Sequence, residues 1–158
     1  MKAAKHFRWE SAHRLPWHDG ACRNLHGHSY RMVVALEGEP DARGMLIDFQ
    51  DLKRALQPLV DAWDHATLVA ADDTDLLAAV RSLGSKYAVL PYHSTCENLC
   101  RYVTDYLGTE ALDVLMLHRI DTICVRIQET ETSYAELEKP VAAYAIGRGA
   151  VRKATMPA

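Results

Sequence analysis

The stretch "CRNLHGHSY", residues 22 to 30, carries a cysteine, two histidines separated by one glycine, and no second cysteine nearby. On a strand, side chains two apart point the same way, so His26 and His28 can both reach one ion. His13 sits on the more apolar face of an earlier strand-like run and can be brought in by a neighbouring strand. Three imidazoles with a fourth position open is the pattern of a catalytic zinc, whereas structural sites close all four positions. The plain alternative for His-x-His is a polar patch. Cys22 is then a fourth ligand closing a structural site, a thiolate acting beside the metal, or an ordinary loop cysteine.

Two acidic positions raise the same choice. In "WDHATL" Asp64 and His65 end a helical pattern, which suits a histidine at the negative end of the helix dipole. A carboxylate-oriented histidine is equally a proton shuttle working near neutral pH. Glu129 follows the apolar row Ile123, Val125 and Ile127 on one strand face, where a carboxylate needs a donor-rich partner to stay charged. The two parallel N–H donors of an aminopyrimidinone edge are such a partner.

The elements that must position these groups follow from periodicity. Residues 5–15 alternate as a strand with Phe7, Trp9, Ser11, His13 and Leu15 on one face. A second strand spans 26–37, and "GEPDARG" turns the chain. Asp48 N-caps a helix with Phe49, Leu52, Leu56, Leu59, Val60 and Trp63 at helical spacing. Residues 70–92 read as an inserted segment with a short helical pattern. "HSTCENLCRYVTDYLG" is a second helix, with Ser94 and Glu97 in capping-box spacing and Gly108 to end it. A strand within "HRIDTICVRIQET", residues 118–130, and a short one at about 133–137 complete an α+β order: a four-stranded antiparallel sheet with two helices on one face. One domain covers 1–139, and the tail 140–158 shows no periodicity and is expected to be loosely attached.

The chain has 158 residues and a formal net charge of -3, which gives no footprint for nucleic acid. No signal-peptide core and no membrane span is present, so a cytoplasmic protein is expected. Its four irregularly spaced cysteines read as reduced thiols.

Together these stretches resemble the 6-pyruvoyl-tetrahydropterin synthase and 6-carboxy-tetrahydropterin synthase family over roughly residues 5 to 138. The matching motifs are "ESAHRL", "CRNLHGHSY", "GMLIDFQDLK", "WDHATL", "STCENL" and "IQETETSYAEL", in that order. The resemblance implies the T-fold, with sheets of three subunits joining into a barrel and two rings stacking into a homohexamer. It also implies Zn2+ held by His13, His26 and His28, and catalysis by Cys22, Asp64 and His65. Glu129 would anchor a pterin, with Thr95 and Glu97 contributing to the pocket, and the active site would lie between subunits. Three residues between the cysteine and His-Gly-His, and the ending "ETSYAEL", look more like the carboxy-forming branch of the queuosine (7-deazaguanine) pathway. That branch converts 7,8-dihydroneopterin triphosphate to 6-carboxy-tetrahydropterin, acetaldehyde and triphosphate. The pyruvoyl-forming reaction is the near alternative, and a non-catalytic protein with a closed structural zinc is the distant one. Arg8, Arg14, Arg23 and Arg31 are unassigned candidates for the triphosphate. His93, Ser94 and Cys96 depart from the family's usual Asn, Pro and small residue, and 70–92 is longer than in compact members.

Overall fold

A long antiparallel hairpin forms the centre of the sheet. The computed structural model describes residues 1–145. In β1 (Lys2–His13) and β2 (His26–Gly38) the register sets Trp9 opposite Tyr30, Ser11 opposite His28 and His13 opposite His26. Alternation then puts Phe7, Trp9, Tyr30, Met32, Val34 and Leu36 on one buried face. β5 (Ile120–Thr130) pairs with β2, and β6 (Ser133–Pro140) pairs with β5, both antiparallel. These are the four strands expected from periodicity.

Two helices cover the apolar face. α1 (Phe49–Trp63) starts where Asp48 accepts the N–H of Gln50, and it buries Leu52, Leu56, Leu59, Val60 and Trp63. Pro58 removes one helical hydrogen bond, yet it lies on the exposed side where water can serve the freed carbonyl. α3 (Cys96–Glu110) buries Leu99, Cys100, Val103 and Leu107. Each such side chain contributes roughly 1.5–3 kcal/mol when fully buried.

The structure adds elements that periodicity did not give. β3 (Ala66–Ala70) and β4 (Tyr87–Leu90) run parallel to β1 and extend the sheet to six strands in the order β4-β3-β1-β2-β5-β6. Between them α2 (Thr74–Ser82) packs Leu76 and Val80 on Val69, while Leu68 joins the main core. The segment read as an insertion, 70–92, is therefore part of the fold: it supplies the end of β3, helix α2 and strand β4. A short α4 (Leu112–Leu117) follows α3.

Two local expectations are corrected. The N-cap of α3 is Thr95, whose hydroxyl accepts the N–H of Asn98 at 3.3 Å; Ser94 is drawn away to His13, so the Ser94 and Glu97 capping box does not form. Gly108 does not end α3, which continues to Glu110. Its role is close approach: a Cβ there would lie 2.5 Å from the Tyr144 ring.

That contact also corrects the expectation of a loose tail, as far as the described residues go. Val141 is buried and its N–H bonds Asp121 O at 2.8 Å, while the Tyr144 hydroxyl donates to Asp105 at 2.8 Å. Residues 146–158 lie outside the described residues. Gly108→Ala should cost about 1 kcal/mol in urea unfolding, because overpacking outweighs the gain in helix propensity. In a Tyr144→Ala background the same change should stabilise.

Candidate metal centre and catalytic groups

The hairpin alone assembles the histidine cluster. His13 faces His26 across the ladder and His28 is its diagonal neighbour, giving ring centroids 4.6, 5.2 and 4.8 Å apart for the pairs 13–26, 13–28 and 26–28. One ring nitrogen from each lies within 4.8 Å of the others. Among the described residues no other group of three or more His, Cys, Asp or Glu gathers in this way.

The hydrogen bonds of the cluster fit a cation. His13 Nδ1 meets Ser94 O at 3.0 Å and Ser94 Oγ at 3.2 Å, and His26 Nδ1 meets Asn24 O at 2.8 Å. A carbonyl behind Nδ1 fixes the tautomer and leaves Nε2 as the donor pair, the usual support for a metal-binding imidazole. His28 Nε2 is buried and has no hydrogen-bond partner. Such an orphan costs free energy unless something positive meets it. Burial, foremost, lowers the pKa of His13 and His28, keeping them in the neutral form that binds metal.

Glu129 joins this group from β5. Its Oε1 accepts the Tyr30 hydroxyl proton at 3.1 Å and lies 3.6 Å from His13 Nε2. Tyr30 is fully buried, stacked on Trp9 with centroids 5.1 Å apart. Burial first, and then the Glu129 charge, push its hydroxyl pKa far up, so it stays a proton donor. Tyr30 shares the His26 and His28 face, and that spacing was the signal for it.

Cys22 lies on a 3-10 turn (Ala21–Arg23), partly exposed, and is not among the clustered ligand atoms. The remaining thiols are poor candidates for a thiolate. Burial pushes Cys96 up to about 11 and Cys100 up to about 12, and it also raises Cys124.

Asp64 and His65 are held elsewhere on the protomer. Asp64 caps the C-terminus of α1 and accepts the Glu10 N–H at 2.9 Å; its other oxygen is 2.9 Å from His65 Nδ1. The Glu10 N–H first, and His65 next, hold the Asp64 carboxyl below its usual range. His65 adopts a left-handed backbone, φ 57°, and its side chain is 77% exposed. A non-glycine residue rarely adopts that conformation without a reason. Lys86 locks the corner by donating to the carbonyls of Asp61 and Asp64 at 2.6 and 2.7 Å. Among the described residues no hydrogen bond or ion pair joins Asp64 or His65 to the three clustered histidines within the protomer. His65 borders a cleft of about 480 Å³ whose lining also includes Glu10, Gly27, His28, Ser29, Thr67 and Lys86.

Thr95 and Glu97 are placed at the start of α3, with Thr95 spent on the cap and Glu97 exposed in the first turn. Of the four arginines, Arg14 is engaged by Asp73.

The sequence profile of the family described as 6-pyruvoyl tetrahydropterin synthase matches residues 2–140. The chain is 30% identical over 147 residues to the 6-carboxy-5,6,7,8-tetrahydropterin synthase of Haemophilus influenzae, covering 88% of this chain and 99% of that one. It is 27% identical over 157 residues to the enzyme of the same name from Aquifex aeolicus, covering 86% and 96%. In fold it is similar to the Plasmodium vivax 6-pyruvoyltetrahydropterin synthase, with a TM-score of 0.69 at 18% identity over 89% of this chain and 99% of that one. An uncharacterized Wolinella succinogenes protein gives 0.71 at 20% identity over 87% and 97%. These neighbours have the T-fold, and this chain shares it. With its profile match spanning nearly all the described residues, the chain belongs to the 6-pyruvoyl tetrahydropterin synthase family.

Proposed function

We propose that the protein is a zinc-dependent 6-carboxy-5,6,7,8-tetrahydropterin synthase, converting 7,8-dihydroneopterin triphosphate and a water molecule to 6-carboxy-tetrahydropterin, acetaldehyde and triphosphate for 7-deazaguanine (queuosine) synthesis. The observation that carries the reading is the trio His13, His26 and His28 with His28 Nε2 unpartnered, beside Glu129 and with Cys22 outside the ligand set. Zinc held there supplies Lewis acidity toward the substrate's side-chain oxygens. The Cys22 thiolate takes a proton from that side chain. His65, oriented by Asp64, passes the second proton. Glu129 accepts the paired N–H donors of the pterin edge, and Tyr30 keeps the carboxylate turned toward them.

His65 and Asp64 would serve the cluster of a neighbouring subunit. Supporting this, the outer edge of β1 from Lys2 to Trp9 and that of β6 have no strand partner among the described residues. Free edges favour sheet extension, here into the barrel rings of a homohexamer. No helix among the described residues is long and apolar enough to cross a membrane, and all four cysteines are free, in keeping with a cytoplasmic enzyme.

The test is to incubate the zinc-loaded protein with 7,8-dihydroneopterin triphosphate and follow acetaldehyde and pterin mass. Acetaldehyde with a 6-carboxy product is expected. A 6-pyruvoyl product would overturn the branch, and no turnover by a folded, zinc-loaded oligomer would overturn the enzyme. Tyr30→Phe keeps the packing and removes only the hydroxyl. It should raise KM about 10–100-fold, since a hydrogen bond to a charged group contributes about 1.5–3 kcal/mol, with a smaller change in kcat.

A further inference from the structure

Part of the segment between β3 and α3 has no role in the chemistry above, yet it grips the chain that carries Cys22. Arg14, directly after His13, donates Nε–H to Asp73 Oδ2 at 2.8 Å and Nη2–H to Asp73 Oδ1 at 2.5 Å. Asp73 is 7% exposed, and the same carboxylate caps α2 by accepting the Leu76 N–H at 3.2 Å. Beyond Arg14 the chain closes on itself: Leu15 N–H donates to Cys22 O and His18 N–H to Leu15 O, both at 2.9 Å. Leu15 and Cys22 are thus tied side by side, one residue from the ion pair. A second contact holds the loop, because the Trp17 ring is 6.0 Å from His93, whose Nε2 is 3.8 Å from Asp72.

We propose that Arg14 and Asp73 are a positioning pair that sets where Cys22 stands relative to the histidine cluster. A two-bond fork between guanidinium and carboxylate fixes orientation as well as distance, which a single bond to a flexible ammonium does not. The α2 cap makes Asp73 a rigid anchor, so the loop inherits its place from the sheet extension. The inference rests on Cys22 acting as the base.

Asp73→Asn separates positioning from folding. Asn caps a helix as well as Asp does, so α2 is kept while the charge facing Arg14 is lost. In the zinc-loaded full-length protein we expect kcat to fall about 10–100-fold, the scale of a misplaced catalytic group, with KM and zinc content little changed. The rate at which iodoacetamide alkylates Cys22, read on its peptide by mass, should shift, whereas that of Cys96 should not. Arg14→Gln should behave like Asp73→Asn, Arg14→Lys should recover part of the loss, and the double variant should be no worse than either single one. Wild-type kcat and alkylation in Asp73→Asn, or additive losses in the double variant, would overturn the clamp. Should Asp73→Asn not fold, Arg14→Lys decides, since it leaves the cap untouched. If Cys22→Ala keeps its turnover, the base assignment fails instead, and the alkylation rates alone decide whether the pair places the loop.

Discussion

Cys22→Ala is expected to lower turnover by about 10²–10⁴-fold, the contribution of a positioned acid–base group, while zinc stays bound and the fold persists. The two halves of that result come from different parts of the geometry. Cys22 stands on a short turn outside the cluster of ligand atoms, so its loss leaves the three imidazoles and their carbonyl supports in place. No other thiol can take over, because Cys96, Cys100 and Cys124 are all raised by burial and therefore protonated near neutral pH. Zinc content measured on the purified variant, beside acetaldehyde release, separates this reading from a structural site. A closed site with Cys22 as fourth ligand would lose zinc and stability together, and that pairing of losses would refute the assignment.

What could be read from the chain, and what could not, divides along a physical line. The hairpin of β1 and β2 was legible because each strand has one buried face, so alternation survives in the sequence and carries His13, His26, His28 and Tyr30 onto the same side. β3 was not legible. All five of its residues are buried, with Leu68 on one cluster and Val69 on another, and a strand covered on both faces shows no alternation to read. Ser94 and Thr95 offer the same local signal for a helix cap. The choice between them is made by His13, 81 residues away from Ser94 in sequence. Likewise nothing near Arg14 announces Asp73, since the partners are 59 residues apart and the pairing exists only once β3 lies beside β1. The clustering of the three histidines is thus set by the geometry of one hairpin and the support of His26 by the adjacent Asn24, whereas the support of His13 is set by tertiary packing.

His28→Ala should reverse its effect on stability depending on zinc. In the metal-free protein His28 Nε2 is a buried group without a partner. Removing it relieves a cost of about 1–3 kcal/mol, which offsets the lost packing, so the metal-free variant should unfold within about 1 kcal/mol of the metal-free wild type. With zinc present the wild type gains stability by mass action, about 4 kcal/mol when free zinc is a thousand times its Kd. The variant should gain far less, because two imidazoles hold zinc much more weakly than three. Thermal unfolding of both proteins with and without zinc checks this as a double difference, which no general effect of the substitution on folding can mimic. Equal gains from zinc in wild type and variant would show that His28 is not a ligand. A metal-free variant much less stable than the metal-free wild type would show instead that His28 serves the core.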